Sequence, residues 1–125
     1  MKKKNNDFNK LYDSTKKVSD LANSHAEGGK VDIRNATLKV MEESGELAAE
    51  VLKYVGHKVT TETKKQIYKK LKSEGVDSFL AILDVLNIAG VSKEDILILS
   101  DKAINKWKKK HIKPKIKKKQ SHVKV

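Results

Sequence analysis

Apolar residues return at helical spacing in four stretches of the chain, and no segment alternates for long enough to read as a strand. The first helix, about 6–24, sets Phe8, Leu11, Val18, Leu21 and Ala22 near one face. The adjacent glycines of "HAEGGK" (25–30) predict a turn. A second helix is expected over about 32–55, with Asp32 as N-cap and Gly56 as its stop. At about 100° per residue, Ile33, Val40, Met41, Leu47, Ala48, Val51 and Val55 fill one broad arc of it. The third helix starts near "TTETKK" (60–65), with Thr60 or Thr61 as cap, and reaches about Ala89. Its first half is amphipathic and basic, whereas its second half, "FLAILDVLNIAG", is apolar almost all round, the pattern of a helix buried among others. Gly90 ends it. Ser92 then caps a fourth helix, with Asp95 three residues on as a short-armed capping box, and Ile96, Leu97, Leu99, Ala103, Ile104 and Trp107 form its apolar stripe. The expected fold class is therefore all-α.

Past Trp107 the periodicity dissolves into "KKKHIKPKIKKKQSHVKV", where Pro114 opposes a long continuation and mutual lysine repulsion favours disorder. The division expected is one helical domain over 1–107 and a basic, disordered tail over 108–125. The tail also holds most of the net charge of +12. Residues 2–4 carry three lysines and 108–125 carry nine, with no acid in either segment. Setting those aside leaves 16 basic residues facing 16 acidic ones, so the middle of the chain is balanced. A lysine-rich end of this kind supports weak, salt-sensitive and nonspecific contact with nucleic acid, and with no aromatic residue interleaved it does not build a base-stacking groove. No run approaches about 18 uninterrupted apolar residues, so no membrane span is expected. The absence of cysteine rules out disulfides and thiolate metal sites, and a cytoplasmic location is the expectation.

Against this basic background, "MEESGELAAEVL" (41–52) gathers Glu42, Glu43, Glu46 and Glu50 on one helix, where like charges at i,i+3 and i,i+4 repel. Glu43, Glu46 and Glu50 form a tight stripe beside the apolar arc, not opposite it, with Glu42 further toward the polar side. On the third helix Glu74 and Asp77 share a face three residues apart, and Asp84 follows two turns later inside an apolar run. For Asp84 the expected role is structural, an ion pair or hydrogen bond that compensates its burial. Two helices that each present a carboxylate pair at i,i+3 can aim four oxygen-bearing groups into one groove. Such a set suits Mg²⁺ or Mn²⁺ and is poor for zinc, because His25, His57, His111 and His122 show no ligand spacing.

Glu42-Glu43-Ser-Gly-Glu46-Leu resembles the EExxE-L helix motif of the MazG-like nucleoside triphosphate pyrophosphohydrolases, and Glu74-Gly-Val-Asp77 resembles the partner ExxD. The 27 residues between Glu46 and Glu74 match the usual separation, and "GVSKEDILILSDKAINKW" is similar to the closing segment of that family. The likeness covers about 30–107. Gly75-Val76 departs from the Leu-Ala-like pair common there, and the basic tail lies outside the shared pattern. The resemblance implies a four-helix-type bundle assembled as a homodimer or homotetramer. The implied reaction hydrolyses a nucleoside triphosphate to its monophosphate and pyrophosphate with Mg²⁺, or Mn²⁺, as cofactor. It assigns Glu43, Glu46, Glu74 and Asp77 to the metal, either Glu43 or Glu46 to general-base duty, and Lys102 and Asn105 to substrate phosphate or sugar. The competing readings are phosphoribosyl-ATP pyrophosphohydrolase, with the same helices and acidic motifs, and a non-enzymatic helical protein that binds nucleic acid through its basic ends.

Overall fold

A computed structural model describes residues 2–24 and 32–123, with side chains over 7–22 and 32–112. The described residues are helical apart from short connections, and no strand occurs among them. The helices are α1 (Lys2–Ser24), α2 (Ile33–Tyr54), α3 (Lys64–Ile88) and α4 (Lys93–Val123). The expected turn at 25–30 lies outside the described residues. The chain divides into two compact units, Met1–Gly90 and Val91–Val125, so α1, α2 and α3 form one unit and α4 belongs to the other.

The boundaries follow from capping chemistry. Asp32 has extended backbone, and its carboxylate accepts from the Arg34 backbone N–H at 2.9 Å, satisfying a donor that the first turn of α2 leaves open. At the other end Gly56 takes φ +82°, a conformation that a side chain would strain. Its N–H donates to the Lys53 carbonyl and the His57 N–H to the Leu52 carbonyl, a Schellman closure. The cap of α3 is Thr63, a correction to the expected Thr60 or Thr61. Thr63 Oγ1 accepts from the Gln66 N–H and the Gln66 side chain accepts from the Thr63 N–H, a reciprocal box that the earlier threonines do not make. Thr60 instead accepts from the Glu62 N–H within the connection. Gly90, at φ +80°, closes α3, and Ser92 caps α4 by accepting from the Asp95 N–H.

α2 and α3 are the principal packed pair, and α1 lies against α3. Tyr54 meets Tyr68 with ring centroids 6.0 Å apart, while the Leu47 side chain lies over Gly75. A residue late in α2 thus faces one early in α3, so the two helices run antiparallel. At the connecting end, Lys53 bridges Glu50 and Glu62, each at 3.1 Å, and Lys70 also pairs with Glu62. These two ammonium groups, Lys70 foremost, pull the Glu62 carboxyl down to about 2.

Among the described residues, the buried apolar side chains are Tyr12, Ile67 and Leu83. On α1 the inward face is Tyr12 with Ser19, flanked by Phe8, and not the expected Leu11, Val18 and Leu21, which stand exposed. The aliphatic arc alone misled because Tyr12, with its ring beside Phe8, supplies the larger apolar area. The second half of α3 buries Leu83 but leaves Phe79 and Ile82 exposed. On α4 the expected stripe is only half-buried at Ile96 and Leu97, and Leu99, Ile104 and Trp107 are exposed. Where a helix end near Trp107 and a disordered tail over 108–125 were expected, the backbone is helical to Val123, through Pro114. Extension from a formed helix has no nucleation cost. No helix among the described residues is long and apolar enough to cross a membrane.

Candidate metal centre

The antiparallel pairing of α2 with α3 brings their acidic turns together. Glu43 and Glu46 project from neighbouring turns of α2 and Glu74 from the facing turn of α3. One carboxylate oxygen from each lies within 4.8 Å of the other two. Glu43 is only 7% exposed, Glu74 is half-buried, and Glu46 is the open member. The Glu74 turn is tied down by buried Ser78, whose hydroxyl donates to the Glu74 carbonyl at 2.9 Å.

The electrostatics show how crowded this charge is. A hydrogen bond to Glu46 is the largest cause holding the Glu74 carboxyl above the usual carboxylate range, followed by burial and by the charges of Glu46, Glu43 and Asp77. On the outer side, Lys39 Nζ sits 2.9 Å from Glu43 Oε1 and 3.7 Å from Glu42, and these contacts raise the Lys39 ammonium above its ordinary value. One lysine does not complete the site. Glu43 Oε2 and Glu74 Oε2 are both buried without a hydrogen-bond partner. Buried oxygens of this kind normally find a donor or an ion.

Of the residues singled out from sequence, Glu43, Glu46 and Glu74 are brought together. Asp77 stands one turn further along α3, outside the three-oxygen cluster, its arm a methylene shorter. Its charge acts on Glu74, and with Glu43 it lines the adjoining cavity. Glu42 is exposed on the Lys39 side. Glu50 is 8% exposed and bonded to Lys53, so it serves the connecting end of the hairpin and not the cluster. Lys102 and Asn105 are exposed on α4. Asp84 does not make the compensating bond expected of it at Oδ1, which is buried without a partner. Asn87, half-buried one turn beyond, has both amide atoms buried and unpartnered. Sequence reasoning passed over Asn87, and its only signal was a polar side chain within the apolar run of α3. Glu62 was likewise passed over, its position immediately before the capping-box Thr63 being the available cue.

The chain matches no protein-family model, no curated protein and no solved structure. The chemistry therefore rests on the donor set. Three carboxylates on two rigid helices, two of them with buried, unpartnered oxygens, fit a hard divalent cation that prefers oxygen ligands. The same oxygens without an ion repel one another.

Proposed function

We propose that this protein is a Mg²⁺-dependent nucleotide pyrophosphohydrolase, with Mn²⁺ as a substitute, that hydrolyses a nucleoside triphosphate to its monophosphate and pyrophosphate as a homodimer or homotetramer. The observation that carries the reading is the clustering of Glu43, Glu46 and Glu74 across two antiparallel helices, in the register where the sequence resembles the MazG-like enzymes. The exposed apolar side chains of α3, Phe79 and Ile82 among them, support assembly with further copies.

In this reading Glu43, Glu46 and Glu74 hold the ion, with Asp77 at the edge toward the cavity. The bound ion supplies charge neutralisation for the triphosphate and polarises the anhydride under attack. The chain does the rest. Glu46, the exposed member, or Glu43 accepts the proton of the attacking water, the bond between the α- and β-phosphates breaks, and pyrophosphate departs. Lys39 orients Glu43 by its 2.9 Å contact.

The test is a panel of nucleoside triphosphates with Mg²⁺, the products separated as pyrophosphate or orthophosphate. Pyrophosphate with monophosphate supports the reading, and its loss in Glu46→Gln with the fold intact supports the site. No turnover of any nucleotide by the wild-type protein overturns it.

A further inference from the structure

A cavity of about 520 Å³ opens beside the acidic cluster, within the size range of small-molecule sites. Glu43 and Asp77 border it, α1 and α3 supply apolar walls through Leu11, Val18, Leu80 and Ala81, and Asp84 also faces it. Asp77 and Asp84 are seven residues apart on α3, a rise of about 10 Å. That length matches the reach of a nucleotide from its α-phosphate to the far edge of its base.

Asp84 is the unexplained group. Its Oδ1 is buried without a hydrogen-bond partner, in a cavity lined by aliphatic side chains together with Ser14, Thr15 and Ser19. Lys39, the cation among the lining residues, is taken by Glu43 and Glu42. The hydroxyl of Thr15 donates to the Leu11 carbonyl of its own helix at 2.8 Å, so its proton is committed as well. A buried acceptor left open in a cavity is a place for a ligand donor, because an unpaired polar group is costly and a matching ligand removes that cost.

We infer that this cavity takes the base of the nucleotide substrate and that Asp84 selects guanine; the inference rests on the pyrophosphohydrolase reading. An ionised carboxylate only accepts, through two oxygens, and pairs best with two parallel N–H donors. Guanine alone among the common bases offers adjacent donors, N1–H and the 2-amino group. Adenine and cytosine place a ring acceptor beside their amino group, and uracil and thymine flank a single N–H with two carbonyls, so each sets a lone pair against a carboxylate oxygen. The aliphatic walls cover the faces of the ring. A site built around hydrogen bonds discriminates strongly against a ligand that leaves them unmade.

The experiment is calorimetric binding of GMP, IMP and UMP to the full-length protein with Mg²⁺, beside the triphosphate hydrolysis panel. IMP keeps N1–H and lacks the 2-amino group, so it removes one of the two bonds without touching the protein. GMP is expected to bind about tenfold or more tightly than IMP, the worth of one charge-assisted hydrogen bond, and UMP more weakly than either. Asp84→Asn exchanges an acceptor for a donor and erases the preference for GMP over UMP. Equal binding of GMP and IMP, no measurable binding of GMP, or an unchanged preference in a folded Asp84→Asn protein overturns the inference. Turnover without guanine preference sinks the assignment of Asp84 and leaves the pyrophosphohydrolase reading standing. Guanine-selective binding without turnover of any triphosphate does the reverse.

Discussion

Glu74→Gln separates the cost of the acidic cluster from its use. Glu74 is held above the ordinary value of 4.5 by Glu46, burial and two further acidic neighbours. An acid whose folded value is raised favours the native state at low pH and destabilises it as pH rises from about 4.5 upward through the folded value. At neutral pH the wild-type protein therefore bears a penalty that an uncharged amide removes, while the amide NH₂ can still donate to Glu46. The metal-free variant should melt higher than wild type at pH 7, and the difference should shrink toward pH 4. A divalent ion reverses the ranking. At a hundredfold excess over its dissociation constant, it stabilises the wild-type protein by about 2.7 kcal/mol. At about 4 °C per kcal/mol for a unit the size of Met1–Gly90, the melting temperature rises by about 11 °C. Groups that only brace metal ligands are worth about 10- to 100-fold in affinity, so losing a ligand costs at least about a hundredfold. At the same ion concentration the variant then gains about 0.4 kcal/mol, or about 2 °C. Thermal melts of both proteins with and without Mg²⁺, between pH 4 and 8, provide the assay. A variant that melts lower than wild type without metal, yet keeps the full metal-induced rise, refutes the reasoning.

Three further outcomes test the scaffold. Because Lys70 and Lys53 pull Glu62 from 4.5 down to about 2, its contribution is present above about pH 4.5 and is lost as pH falls toward 2. The melting temperature of Glu62→Gln should accordingly lie below wild type at pH 7 and converge with it near pH 2. Leu83→Ala empties a buried site on α3 and should cost about 2–5 kcal/mol in chemical denaturation. In Gly75→Ala the new methyl would meet Leu47 Cδ1 at an ordinary 3.8 Å. Removing a mid-helix glycine should stabilise by about 0.5–1 kcal/mol, and a loss would show that α2 and α3 approach more closely than described.

Much of the architecture is written in local chemistry. Asp32, Gly56, Gly90 and Ser92 mark helix ends by the properties of single side chains, and each does so in the structure. Thr63 was legible too, since Gln66 three residues on completes its box, but two earlier threonines competed for the assignment. Facing was harder to read. An aliphatic arc chose Leu11 and Val18 on α1, whereas the tertiary contact uses Tyr12 and Ser19, because helical spacing fixes which residues share a face but not which face finds a partner. The carboxylate stripe beside the apolar arc of α2 singled out Glu43 and Glu46, and the i,i+3 pair on α3 singled out Glu74. Their convergence needed only an antiparallel hairpin. The separate duties of Glu50 and Glu62 were hidden because they depend on Lys53 and Lys70 arriving from two helices at the connecting end. The open oxygen of Asp84 depends on what its neighbours fail to offer, which spacing along a chain does not encode.

The central claim is that Glu43, Glu46 and Glu74 act together as a divalent-cation site. Calorimetric titration of Mn²⁺ into the full-length protein at pH 7, repeated with Glu46→Gln, tests it most directly. The account predicts saturable uptake by the wild-type protein and a loss of about a hundredfold or more in affinity on removing that one carboxylate. Absence of uptake, or equal uptake by both proteins, contradicts it.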